Sequence, residues 1–253
     1  MKYMGSKSRI AKDIVPIIQK YIDNNETDNY YEPFVGGGNI IDKINSSHKY
    51  ASDLNKYLIS LLTHVSNGGE LYDAVSKELY DEAKTAYKNN DKTKFKDYQI
   101  ANIGFLASYN GRWFDGGYAK PVYEKTKTGL RYRDYYREAK DNLLKQATDL
   151  KGITFSVCDY KEAYPNGFVV YCDPPYNNTT GYENSKNFDF EEFWNTMNKW
   201  SENNIVLVSE LNAPENWISI WSKEVVRSLN TKDKSVATEN LFIHKKYENI
   251  LNL

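Results

Sequence analysis

The sequence predicts an α/β fold whose strand–helix alternation is broken once, by a mostly helical insertion. Three observations carry this. Residues 29–34 read as a short strand entering Gly36-Gly37-Gly38, Asn39 to Asn45 as the helix after it, and Lys49 to Ser52 as a second strand ending at Asp53. Strand, glycine turn, helix, strand and acid in this order open a nucleotide-binding α/β fold. The apolar run Phe168 to Cys172 has the character of a parallel strand buried on both faces. Between these two regions, residues 55–133 abandon the alternation.

The other elements follow in chain order. Ile10, Ile14, Ile17, Ile18 and Tyr21 give residues 8–22 a helical spacing, with Pro16 as a candidate kink. Residues 55–108 read as amphipathic helix with a charged middle from Lys84 to Lys96. Residues 109–133 lose the helical period, and Gly116-Gly117 and Thr126-Lys127-Thr128-Gly129 have the composition of hairpin or loop turns. Helix resumes near Asp134 and runs to about Asp149. Strands are expected at Thr154–Val157, Phe168–Cys172, Ile205–Ser209, Val225–Leu229 and Leu241–Lys245, and a helix at Phe190–Trp200. The predicted organisation is a core in two parts, 1–54 and 134–253, with the insertion at 55–133.

Composition excludes several classes. The net charge of the 253 residues is -1, so a nucleic-acid partner requires a local basic patch. His48, His64 and His244 have no zinc-ligand spacing, and no metal is expected. Cys158 and Cys172 each fall in a predicted strand and are expected as buried free thiols. No apolar run approaches the roughly 20 residues of a membrane span, and Met1 to Lys7 has no apolar signal region. A monomer in a soluble, reducing compartment is the expectation.

Five motifs carry chemistry. Asp173-Pro174-Pro175-Tyr176 follows the apolar run, at the carboxyl end of its strand, where open α/β sheets place ligands. Two prolines remove two N–H donors and leave carbonyls to accept. Acid, acceptor-rich turn and aromatic plate together suit a planar base bearing an exocyclic amine. Glu32-Pro33-Phe34-Val35-Gly36-Gly37-Gly38 lets the backbone approach a ligand closely, and a helix start after it would favour a carboxylate. Ile41 replaces the last glycine of the dinucleotide pattern, which argues against a pyrophosphate site. Asp53 either accepts ribose hydroxyls or caps the next helix, and its distance from the glycine turn favours ribose. Asp159 is either an acceptor for an adenine amine or a simple loop acid. Lys7 opens the first helix, where a cation is disfavoured, so it either points to a ligand or acid or is solvated.

Finally, residues 110–140 hold eight basic residues against four acids, net +4 in a chain of -1, with aromatics interleaved. Asn110, Arg112, Trp113, Lys120, Lys125, Lys127 and Arg131 are the candidates to touch nucleic acid, the cations on phosphates and the aromatics against bases. A solvated charged face is the alternative.

Lys-Tyr-Met-Gly-Ser-Lys at 2–7, Glu-Pro-Phe-Val-Gly-Gly-Gly at 32–38, Asp53, the basic insertion, Asp159 and Asp-Pro-Pro-Tyr at 173–176 stand in an order that resembles the Dam-type (D12 class) DNA N6-adenine methyltransferases. The resemblance covers essentially the whole chain and is nearest to methylases of phages and mobile elements. Gly104 to Tyr118 is similar to the family's target-recognition region but lacks the Arg-Tyr-Asn and Phe-Asn-x-Pro pattern of the GATC-specific members. The resemblance implies a Rossmann-like S-adenosylmethionine-dependent methyltransferase core with an inserted target-recognition domain, acting on double-stranded DNA in a bacterial cytoplasm. It implies cofactor contacts from Tyr3, Lys7, Asp53 and Asp173, with the Glu32 to Gly38 turn beneath the methionine part and Asp159 near the adenine.

The expected chemistry is methyl transfer to a flipped adenine. Tyr176 stacks on the base, while the Asp173 carboxylate and the Pro174 carbonyl accept the two N6 hydrogens. The rivals are an RNA N6-adenine enzyme, which more often carries Asn in place of Asp173, a cytosine-N4 enzyme, which more often carries Ser, and a decayed DNA-binding module.

Overall fold

The computed structural model describes residues 1–3, 5–25, 28–126, 129–175, 188–228 and 234–250. Hydrogen bonding joins seven strands into one sheet: β1 (Asn29–Glu32), β2 (His48–Asp53), β5 (Thr154–Val157), β6 (Val169–Cys172), β7 (Ile205–Glu210), β8 (Trp217–Ser228) and β9 (Lys234–His244). A separate two-stranded sheet pairs β3 (Val122–Thr126) with β4 (Gly129–Arg133).

The large sheet runs β5-β2-β1-β6-β7-β9-β8. Numbered in chain order, its strands therefore stand 3-2-1-4-5-7-6, a doubly wound order in which the connections leave β1 in both directions. Pairing is parallel for β1–β2, β1–β6 and β6–β7, and antiparallel where β9 enters between β7 and β8. The sheet is thus mostly parallel, and its switch point lies between the carboxyl ends of β1 and β6, where such sheets bind ligands.

Contacts divide the chain into two units, one of Met1–Arg9, Gly36–Lys43 and Asp53–Val157, the other of Ile10–Val35, Ile44–Ser52 and Cys158–Leu253. In the second unit every residue of β6 and β7 is buried, as continuous apolar runs covered on both faces must be. Tyr31, Val170, Cys172, Val206 and Val208 of the sheet pack with Phe193, Met197 and Trp200 of α6 (Phe190–Trp200). Asp189 caps α6 by accepting from the Glu192 N–H at 2.9 Å. Helix α1 (Ala11–Asp23) buries Ile14, Ile18, Tyr21 and Ile22, and runs on through Pro16, which stands on its exposed side. The helix begins at Ala11, leaving Lys7–Arg9 as a separate 3-10 turn.

The first unit holds four further helices: α2 (Lys56–Ser66), α3 (Lys77–Lys88), α4 (Asp97–Ala101) and α5 (Tyr135–Ala147). Asn55 caps α2 through the N–H groups of Tyr57 and Leu58. Ser76 caps α3 and Asp134 caps α5. α4 passes into a wider π turn, Asn102–Leu106, all of it buried. An aromatic core surrounds Trp113, whose ring centroid lies 4.4 Å from that of Phe105, 5.0 Å from Phe114, 5.2 Å from Tyr87 and 5.4 Å from Tyr57.

Four sequence expectations are corrected. The stretch from Asn39 to Asn45 is not a helix but a 3-10 turn at Ile41–Lys43. The reason is that tertiary partners take up its polar groups: a buried glutamine holds Gly37 and Gly38, and the Asn39 amide donates to Met1 O and Ser6 Oγ. Cys158 stands one residue beyond β5 and is only half-buried, while Cys172 is buried; both are free thiols. The last two strands are longer than their apolar stretches suggested, because their mutual pairing runs from Trp217–His244 to Ser228–Lys234. The helical reading of 55–108 holds only in part, as three helices separated by the non-helical stretches 67–76 and 89–96.

Candidate active site

In the first unit the glycine turn is built around Tyr3 and Asp53. Gly36 and Gly38 have φ of 49° and 66°, a region that glycine enters without penalty. A Cβ on Gly37 would lie 2.9 Å from Tyr3 Cβ and 2.7 Å from Asn39 Nδ2, and one on Gly36 would lie 3.2 Å from Tyr3 Cε1. Tyr3 thus packs directly on the turn, backed by Phe105 at 5.7 Å.

Asp53 closes β2. Its Oδ2 accepts from the Gly36 N–H at 3.1 Å and its Oδ1 from the Asn55 N–H at 2.9 Å. The carboxylate therefore ties the glycine turn to the start of α2, and Asn55, not Asp53, is the helix cap. Burial pushes its pKa up, against the pull of the two N–H groups. No described residue accepts from the N–H groups of Gly37, Gly38 or Asn39. Leu54, beside Asp53, leaves 56% of its surface exposed, an apolar face that the sequence reading missed. Lys7 is buried, so its cation is turned inward. It lies on the short turn ahead of α1, not at the opening of that helix.

In the second unit the ends of β1 and β6 lie side by side, in the register Tyr31 to Val170. Glu32 is buried at the end of β1, where its Oε1 accepts from the Tyr30 hydroxyl at 2.7 Å. Pro33 is buried after it, and the half-buried Phe34 packs on Tyr160 at 5.1 Å and Phe193 at 5.9 Å. Asp173 follows β6 and is half-buried, Pro174 is buried and Pro175 half-buried. Burial, then the Asp173 and Glu32 charges, push the Cys172 thiol well up, so it stays protonated and is no nucleophile. Asp159 starts the turn Tyr160–Glu162 and accepts from the Lys161 N–H at 3.0 Å. The buried Tyr160 hydroxyl has no hydrogen-bond partner among the described residues. Tyr176 lies outside the described residues.

The basic segment is a loop and a hairpin. Asn110 (φ 55°) and Arg112 are exposed, as are Lys120, Lys125 and Arg131; Lys127 lies outside the described residues. Trp113 is the exception to the expected surface set. It is 6% exposed and fills the aromatic core, which leaves it no face for a base. Exposed aromatics on the hairpin are instead Tyr123 and Tyr132, a cross-strand pair 5.2 Å apart, next to Leu130. Arg133 is used internally, donating to both oxygens of Glu138 at 2.9 and 2.8 Å and to Glu124 at 3.1 Å.

Among the described residues, no three His, Cys, Asp or Glu side chains are grouped to hold a metal. No described helix is long and apolar enough to cross a membrane.

Comparison with known proteins gives the arrangement a relationship. The chain is 23% identical to the Type II methyltransferase M.FokI of Planomicrobium okeanokoites over its whole length, and spans 37% of that protein. It is 24% identical to the Type II methyltransferase M.MjaIII of Methanocaldococcus jannaschii, over 76% of this chain and 74% of that protein. It is also 24% identical to a DNA adenine methylase of Vibrio cholerae, over 70% of this chain and 64% of that protein. Residues 3–237 match the family model of the D12 class N6 adenine-specific DNA methyltransferases, which takes in the glycine turn, the insertion and Asp-Pro-Pro-Tyr. The chain belongs to that family, and its doubly wound sheet is the Rossmann-like methyltransferase fold.

Proposed function

We propose that this chain transfers a methyl group from S-adenosylmethionine to N6 of adenine in double-stranded DNA, in the bacterial cytoplasm. The observation that carries the reading is Asp173-Pro174-Pro175 at the carboxyl end of β6, beside β1 at the switch point of the sheet, in a chain of this family.

The first unit has groups that fit the cofactor. N–H groups of the glycine turn without a described acceptor, together with the inward-turned Lys7, suit the carboxylate of its methionine part. Asp53 keeps lone pairs beyond the two N–H groups it accepts, and these suit ribose hydroxyls. Leu54 offers an apolar face for the adenine, and Tyr3 an aromatic wall over the turn; Asp159, which belongs to the second unit, is assigned to the adenine amine by the family resemblance alone. Bound there, S-adenosylmethionine supplies an electrophilic methyl group on a sulfonium.

The residues of Asp-Pro-Pro-Tyr act on the target base. Its N6 lone pair is delocalised into the ring. The Asp173 carboxylate and the Pro174 carbonyl accept its two hydrogens, which favours a more tetrahedral nitrogen with a localised lone pair. The same carboxylate stabilises the positive charge that grows on N6. Tyr176 stacks on the base once it has left the duplex. Residues 55–133 form the target-recognition insertion, in which Asn110, Arg112, Lys120, Lys125, Lys127 and Arg131 face DNA. Trp113 supports the loop from inside, and the Tyr123–Tyr132 pair supplies the exposed aromatic surface.

The test is methyl transfer from labelled S-adenosylmethionine to unmethylated DNA and to RNA, with the products resolved as nucleosides. N6-methyladenosine from RNA alone would move the substrate to RNA. Labelled N4-methylcytosine would move the target base.

A further inference from the structure

The polar side chain most completely tied into the glycine turn is one that no motif includes. Gln146 lies on the buried face of α5, 7% exposed, among Ala139, Leu143 and Ala147. Its Nε2 lies 3.0 Å from Gly37 O, 2.9 Å from Gly38 O and 2.9 Å from Asp42 Oδ2. Its Oε1 accepts from the Met1 amine, which also donates to Asn39 Oδ1 at 3.0 Å. One amide thus holds two consecutive glycine carbonyls, the acid on the following turn and the N-terminal segment that carries Tyr3.

This has a geometric consequence. A trans peptide points its C=O and the next N–H in opposite directions. Drawing the carbonyls of Gly37 and Gly38 onto Gln146 therefore turns the N–H groups of Gly38 and Asn39 to the opposite side of the turn. Those are N–H groups for which no described residue is an acceptor. Glycine at 37 and 38 has a broad range of backbone conformations, so the turn alone does not fix this orientation. No regular helix follows to fix it either, because Ile41–Lys43 is a single 3-10 turn.

We propose that Gln146 is the positioning residue of the cofactor cradle: by holding the carbonyls of Gly37 and Gly38 it aims the following N–H groups at the carboxylate of S-adenosylmethionine. The inference rests on the function proposed above. Gln146 touches no reacting atom, so its effect falls on cofactor affinity and not on the chemical step.

The experiment compares full-length protein with Gln146→Glu and Gln146→Met by calorimetric titration with S-adenosylmethionine, thermal melting and steady-state kinetics. Glu keeps the shape but cannot donate to the two carbonyls, and it faces Asp42. Met keeps the volume and removes both functions. The expected result is cofactor affinity at least about tenfold weaker in both, close to 1.4 kcal/mol, with kcat at saturating cofactor and KM for DNA within about twofold of the parent. Parent-like affinity in either folded variant overturns the proposal, as does a fall in kcat with an unchanged KM for the cofactor. If neither variant folds, Gln146 is a packing residue and the proposal falls. A parent protein that binds no S-adenosylmethionine removes the proposed function and this inference with it, whereas a binding parent with parent-like variants removes the inference alone.

Discussion

Two strands of the sheet lead into an aspartate, and the backbones beside the two differ. Asp53, at the end of β2, is gripped by backbone N–H groups from the turn before it and the helix start after it. Asp173, at the end of β6, is followed by two residues that have no N–H to give. The first environment fixes a carboxylate as part of a scaffold. In the second, the two residues after the carboxylate offer carbonyls and no N–H, the feature that suits the exocyclic amine proposed as its ligand. The same residue at two strand ends thus meets different neighbouring backbones, which is the basis of the two roles proposed for it.

The largest effect that would test this contrast is on Asp173. Asp173→Ala is expected to lower methyl transfer by about a thousandfold or more, the scale of losing a group that stabilises developing charge, with an unchanged melting temperature. Measurable turnover within tenfold of the parent would break the contrast at its catalytic end. Asp53→Asn should leave turnover at saturating cofactor nearly intact and weaken S-adenosylmethionine binding by roughly tenfold, on the scale of a charged hydrogen bond.

The pH dependence sharpens the same point. The folded-state pKa of Asp53 is raised, so its carboxylate forms only at a higher pH than usual. In the proposed binding mode ribose hydroxyls donate to the carboxylate, and cofactor affinity should therefore fall as pH drops through that raised value. Asp53→Asn should remove this dependence. An identical acid limb in the variant would assign the titration elsewhere.

The fold was legible where one physical signal dominated. The continuous apolar run at 168–172 had the character of a strand buried on both faces, and the helix expected at Phe190–Trp200 is α6 to the residue. The helix expected at 39–45 failed because short apolar spacing says nothing about tertiary hydrogen bonds to Gly37, Gly38 and Asn39. Trp113 was misplaced for a related reason: glycines and cations around it read as surface, while its partners Tyr57 and Tyr87 are distant in sequence. Gln146 left a faint signal, a polar residue in register with the apolar positions Ala139, Leu143 and Ala147.

Smaller effects separate the DNA-facing loop from this scaffold. Replacing Arg112, Lys125 and Lys127 with Ala should weaken DNA binding and flatten its salt dependence by up to about 0.9 in log–log slope for each phosphate no longer neutralised. Affinity for S-adenosylmethionine should not change. An unaltered slope would take these cations out of the interface. Asn55→Ala removes only the cap of α2 and should cost about 1 kcal/mol in denaturant unfolding, with Asp53 still accepting from the backbone of residue 55.

The most direct measurement is the nucleoside product and its position in DNA after incubation with labelled S-adenosylmethionine. The account predicts N6-methyladenine within one short sequence motif in the parent protein and none in a folded Asp173→Ala variant. Label in the variant equal to that in the parent, or label in any other nucleoside, would contradict it.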